Sequence, residues 1–309
     1  MDTAELEVQA QLALFCYLEA AQFTLLFYDY LLTLDWEISR YWRRRINGTI
    51  PAVLFFANRY GTLLGNVPVV LMNFWTAPAS PSKSQVRAIC AALDFYHETF
   101  IITIQTIIGV MLILRTYALY ERNSRILGFM FVFSASIICI GVGSTIYTNH
   151  KAHAADQESV LPLSIGCVSP VTQAESKGLI IAWSAMGLFD CMVFSLTLYK
   201  TLSRRRPKGL NLVPLLMRDG CIYFGVMVIS NLCNILTFAL GTPYTRGLFN
   251  TTTNVISSLM ISRLMLNIRD PALAKDLNGD SSAVQWGVGV FSTYLESMPP
   301  RRDVTAELV

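Results

Sequence analysis

ILGFMFVFSASIICIGVGSTIYT, residues 126–148, decides the fold class, because these twenty-three consecutive residues include no Asp, Glu, Lys or Arg. A helix rises 1.5 Å per residue, so about 20 apolar residues cross the roughly 30 Å hydrocarbon core of a bilayer. Residues 220–241 (GCIYFGVMVISNLCNILTFALG) repeat the pattern, again without a charged side chain. Working outward from these two segments, five more stretches approach the same length and polarity: 12–34, 50–72, 88–114, 178–199 and 248–268. The third carries Asp94, His97 and Glu98 in its first half, but Thr99 to Leu114 is uncharged throughout. The expectation is an all-α, polytopic membrane bundle with seven transmembrane helices over 12–268. A short outer N-terminus (1–11) and a flexible cytoplasmic tail (269–309) flank it.

Composition agrees. The chain has 309 residues, 53% hydrophobic and 15% charged, with a mean hydropathy of +0.45, whereas soluble domains carry about 25% charged residues. A net charge of +3, with no basic run interleaved with aromatics, speaks against nucleic-acid binding. The first eleven residues hold acids but no Lys or Arg, and the apolar stretch after them exceeds a signal-peptide core. The first segment therefore reads as a retained anchor.

Basic residues give the bundle a direction, since positively charged loops stay in the cytoplasm. One side collects Arg40, Arg43, Arg44, Arg45, Arg115, Arg122, Arg125, Lys200, Arg204, Arg205, Arg206, Lys208 and Arg218, and the tail region adds Arg263, Arg269, Lys275, Arg301 and Arg302. The other has only Lys83, Arg87, Lys151, Lys177 and Arg246, while Arg59 lies inside the second span. This asymmetry predicts the N-terminus outside and the C-terminus in the cytosol, in the plasma membrane or another secretory-pathway membrane. The inner clusters, Arg204, Arg205 and Arg206 above all, serve either anionic lipid headgroups or a cytoplasmic signalling partner.

Two motifs resemble a known family: YDYLLTLDWEISRYW at Tyr28 to Trp42 and LFFANRYGTLLG at Leu54 to Gly65. They are similar to the N-terminal signature of basidiomycete fungal membrane proteins grouped by the domain of unknown function numbered 6533. The resemblance extends through LRTYALYER (114–122), FDCMVFSLTLYK (189–200), LLMRDGCIYF (215–224) and ISRLMLNIR (261–269). It implies a fold and no activity.

Four constellations could carry function. Cys90 lies near the outer end of the third span and Cys167 in the longest outer loop, so both face an oxidising compartment. They are candidates for a disulfide, in a placement that resembles the bridge common in G-protein-coupled receptors, or else two free thiols. Within the first two spans, Asp29 and Arg59 would sit about 8 Å and 13 Å from the inner face, a depth that suggests an ion pair. Charges at such depth need a partner or water. Glu19, nearer the outer end, reads as solvated. Asp190, midway along the fifth span, could meet Asn231 and Asn234 of the sixth. Arg115 and Tyr117 end the third span where rhodopsin-like receptors carry an acid, an arginine and a tyrosine. Here Leu114 stands in the acid's place, and the seventh span lacks that class's Asn-Pro-x-x-Tyr pattern.

No zincin, P-loop or nucleophile-elbow motif is present, and the three His residues (His97, His150 and His153) have no ligand-spaced partners. Neither a metal nor a cofactor is expected. The readings that remain are a receptor-like sensor, a small-solute or proton-coupled transporter motivated by Asp29, Arg59 and Asp190, and a membrane-embedded enzyme or structural protein.

Overall fold

A computed structural model of the chain describes residues 3–42, 49–74, 83–153, 167, 171–203 and 220–269. Among them are seven α-helices: α1 (Thr3–Glu37), α2 (Ile50–Phe74), α3 (Lys83–Leu119), α4 (Ser124–His153), α5 (Gln173–Ser203), α6 (Cys221–Leu240) and α7 (Asn250–Ile268). A π-helical turn, Ile38–Trp42, continues α1. Helix α1 begins at Thr3, nine residues ahead of the expected span, and the π-helical turn ends eight residues past it.

Local chemistry sets the helix ends. At α2, Pro51 occupies the first turn, where its missing N–H is not needed, and the Thr49 carbonyl accepts from Ala52 and Val53. The α3–α4 connection is short: Glu121 and Arg122 both adopt positive φ (57° and 64°), and the Asn123 side chain caps α4 by accepting from the Arg125 N–H. Ahead of α5, Thr172 and Glu175 form a reciprocal capping box.

Five helical segments are long and apolar enough to cross a membrane: Leu6–Trp42, Ala88–Leu119, Ser124–Ser144, Gln173–Ser203 and Cys221–Leu240. Two of the seven expected spans, α2 and α7, fall short on composition. The physical reason is their position. Twelve of the nineteen α7 residues are buried, and six of those twelve are polar: Thr251, Thr253, Asn254, Ser257, Ser258 and Ser262. Helix α2 likewise buries Asn58, Arg59, Thr62, Asn66 and Asn73. A helix enclosed by other helices can be polar where a lipid-facing helix cannot.

Of the two, only α7 is enclosed in this way, because α2 also presents a face of exposed Ile50, Val53, Leu64, Val67, Leu71 and Phe74. Helix α4 exposes Phe129, Phe131, Val132, Ile138, Ile140 and Val142, and α1 exposes Leu25, Phe27, Leu31 and Leu32. Such continuous apolar faces are untenable in water and suit a bilayer environment. Trp36 and Trp42, exposed near the C-terminal end of the first helical segment, are aromatics of the kind enriched at membrane interfaces. Between the faces lies an apolar core that includes Phe55, Ile108, Leu112, Met130, Phe189, Phe224, Ile261 and Leu264.

Candidate functional site

The polar side chains of the bundle gather on a seam between α1, α2 and α7. Its central part is a ladder. Asn58 donates to the Ser262 hydroxyl (3.0 Å) and the Ser258 carbonyl (3.1 Å), and Thr62 and Ser258 share a hydroxyl bond of 2.8 Å. These rungs, 58 with 262 and 62 with 258, establish that α2 and α7 run antiparallel with one residue pair per helical turn. Interhelical bonds of this kind are each worth about 0.6 kcal/mol on average, so the ladder holds α7 by many weak contacts.

One end of the seam carries two ion pairs, and it corrects the expected partnership of Asp29 with Arg59. Arg59 pairs with Glu37 at 2.6 Å, and Asp29 with Arg263 of α7 at 2.5 Å. Helix geometry explains the exchange. Because α1 runs on to Trp42, Thr33 is nine residues from its inner end (42 − 33), and Arg59 is nine residues from the start of α2 (59 − 50). The two are level, and Arg59 donates to Thr33 at 2.8 Å. Asp29 then lies one turn above that level and Glu37 one turn below, and Arg59 turns to Glu37.

Glu37 is fully buried. It also accepts from Tyr60 (2.8 Å) and Trp42 (2.9 Å), while the Arg59 guanidinium lies 4.8 Å from the Tyr30 ring centre. Glu37 lies past residue 34, the expected end of the first span, and Trp42, five residues further on, reaches back to it. Arg40 donates to the Leu266 carbonyl at 2.7 Å, and Arg269 stacks on Tyr41 at 3.9 Å. The last turn of α7 is thus gripped from α1. Beside Arg59, a crevice of about 10 Å³ is lined by Tyr30, Ser258 and Ser262.

The opposite end of the seam overturns the expectation that Glu19 is solvated, since its exposure is 1%. Gln22 and Asn73 donate to it at 2.5 and 2.9 Å, and Thr252 donates to Gln22. His97 of α3 lies 3.2 Å from the Thr251 hydroxyl. Two amide donors, one from its own helix and one from α2, invisible to a hydropathy profile, are what allow this carboxylate inside.

Cys90 and Cys167 are joined as a disulfide with Cα atoms 5.3 Å apart, and the Cys167 N–H donates to the Met72 carbonyl at 3.0 Å. Cys167 therefore links α3 to the C-terminal end of α2. Cys90→Ser should lower stability by about 2 kcal/mol, the low end for a disulfide, because the helices within its loop persist in the membrane and limit the entropy gained. Thermal unfolding with and without reductant measures it, and unchanged midpoints would show that the bridge restrains nothing.

Asp190 accepts from Asn231 at 3.2 Å. The expected third member, Asn234, is not joined to them: it is fully buried and neither atom of its side-chain amide has a hydrogen-bond partner. Asp190 borders a tight crevice with Leu112, Val193, Phe224 and Met227. Arg115 is buried, its guanidinium 5.1 Å from the Phe224 ring centre, so it faces the bundle and not an inner partner. Tyr117 is half-buried. Arg204, Arg205 and Arg206 lie outside the described residues.

Residues 17–64 match the model of a family of unknown function, DUF6533. The matched segment contains Glu19, Asp29, Glu37 and Arg59, and so spans the charged residues of α1 and α2 on both ends of the seam. No curated protein matches the chain, and no solved structure does.

Proposed function

We propose that the chain crosses the bilayer seven times, with its N-terminus outside and its C-terminus in the cytoplasm, and works as a receptor-like sensor in which α7 is the moving element. The observation that carries this reading is the seam. Helix α7 is seated against α1, α2 and α3 by exchangeable polar contacts along its length, from Thr251 on His97 and Thr252 on Gln22 to Arg263 on Asp29. Apolar interdigitation resists sliding, whereas hydroxyl and amide bonds can be traded for neighbours one turn away. The Cys90–Cys167 link holds α3 and α2 together at the outer end, leaving α7 free to shift against them. The Asp29–Arg263 pair would then be the inner latch.

Asp29→Asn should release that latch. In cells carrying transcriptional reporters for the main signalling routes, this variant should raise basal output about threefold or more over wild type, an effect of about 0.7 kcal/mol on a two-state equilibrium. Replacing Arg204, Arg205 and Arg206 together by Ala should remove the output while surface expression persists. Wild-type output from both variants would reject the sensor reading.

Transport is the second reading, favoured by one observation: Asp190 is buried and accepts a hydrogen bond from Asn231, and an intramembrane acid is a common coupling group. Solute or proton flux in reconstituted vesicles, abolished by Asp190→Asn, would establish it.

A further inference from the structure

The α2–α7 ladder has a third rung that does not close. Its register, 58 with 262 and 62 with 258, continues one turn outward to Asn66 opposite Asn254. Both side chains are buried, with exposures of 2% and 0%. Asn66 donates its amide to the Thr62 carbonyl at 2.7 Å, and among the described residues its Oδ1 has no partner, nor do Oδ1 and Nδ2 of Asn254. Two acceptors and one donor thus lie at one level of the seam, enclosed by protein. Buried polar atoms left unmet are costly and are met by an ordered ligand when protein does not meet them.

We infer that this level of the seam is a binding site for a single water molecule bridging α2 and α7. The chemistry of the unmet atoms selects the ligand. Water can donate to Asn66 Oδ1 and Asn254 Oδ1 and accept from Asn254 Nδ2, three bonds, the usual number for a buried water. A sodium ion would engage the two oxygens but would leave Asn254 Nδ2 facing a cation. It would also lack a counter-charge, because the two carboxylates of the seam nearest in sequence order are already engaged, Glu19 by Gln22 and Asn73, and Asp29 by Arg263. The site does not depend on whether the chain senses or transports. It makes the middle of the α7 contact a wet joint, in which the bridging molecule can change partners faster than two side chains can repack.

The test is a double-mutant comparison on the full chain in nanodiscs. Asn254→Leu strands Asn66 Oδ1 and should lower the thermal midpoint by about 4 °C; Asn66→Leu should do the same. Asn66→Leu combined with Asn254→Leu removes every unmet atom and should recover at least half of either loss. Losses that simply add would overturn the shared water. The midpoint of the wild-type chain should be equal in sodium chloride and choline chloride, and a sodium-dependent rise that Asn254→Leu abolishes would overturn it in favour of a cation site. An experimental map that resolves waters elsewhere in the bundle should show a peak within hydrogen-bonding reach of both amides. A featureless seam in such a map would also overturn the inference.

Discussion

Arg59→Ala should destabilise the bundle by about 3–5 kcal/mol, the range for removing one partner of a buried ion pair. The magnitude follows from what is left behind. Glu37 is fully buried and Arg59 nearly so, so truncation strands a carboxylate with only the Tyr60 and Trp42 donors. Loss of the guanidinium also uncovers the Tyr30 ring beneath it. Thermal unfolding in detergent measures the effect. Replacing both partners, Glu37→Gln with Arg59→Leu, should restore most of the stability, because a neutral pair carries no desolvated charge. A loss below about 1 kcal/mol in the single variant would mean that headgroups or water reach Glu37, as they do at exposed pairs.

Gly220→Ala should cost about 3 kcal/mol. Gly220 sits just before α6 with φ at 74°, a left-handed conformation that costs an L residue about 1–2 kcal/mol. A Cβ there would also lie 2.6 Å from Leu264 Cδ1 and 2.9 Å from Arg115 Cζ. Leu264 is fully buried and Arg115 is held beside Phe224, so neither yields without repacking α3 or α7, a further cost of about 1–3 kcal/mol. Gly225→Ala is the control, since a Cβ at Gly225 meets no atom within 4 Å. Equal midpoints for the two variants would show that the α3–α6–α7 junction is looser than these distances require.

Hydrophobic run length made the helices legible from sequence, and the helices exist where the runs lie. Depth was harder to read. The end of an apolar run marked residue 34 as the inner end of the first span, yet α1 and its π-helical turn continue to Trp42, and that displacement by about two turns turned a true ion-pair region into the wrong pair. Glu19 reads as solvated because hydropathy scores a side chain by type and cannot see the donors that reach it, Gln22 from its own helix and Asn73 from α2. Glu37, past the expected end of the first span, is met likewise by Tyr60 of α2 and by Trp42 of the π-helical turn that continues its own helix. Asp190 with Asn231 was readable because both lie midway along adjacent antiparallel helices, where an error of one turn still leaves them opposite each other. Asn234, a residue class favourable for such a bond, points elsewhere, and nothing in the sequence distinguishes its face from that of Asn231.

The polarity of α7 also bears on how the chain is made. A segment with Asn254, Asn267, Arg263 and a run of Ser and Thr has little tendency to leave the translocon for lipid unaided, since each strongly polar residue near the helix centre opposes insertion by up to about 3 kcal/mol. If α7 spans the bilayer as proposed, its entry would be drawn by helices synthesised before it, whose Asn58, Thr62 and Asp29 offer it bonds that lipid cannot. Biogenesis of this protein would then end with a capture step, in which the last helix enters only a correctly assembled bundle. A defect in α1 or α2 would show up first as a C-terminal helix left on the wrong side of the membrane.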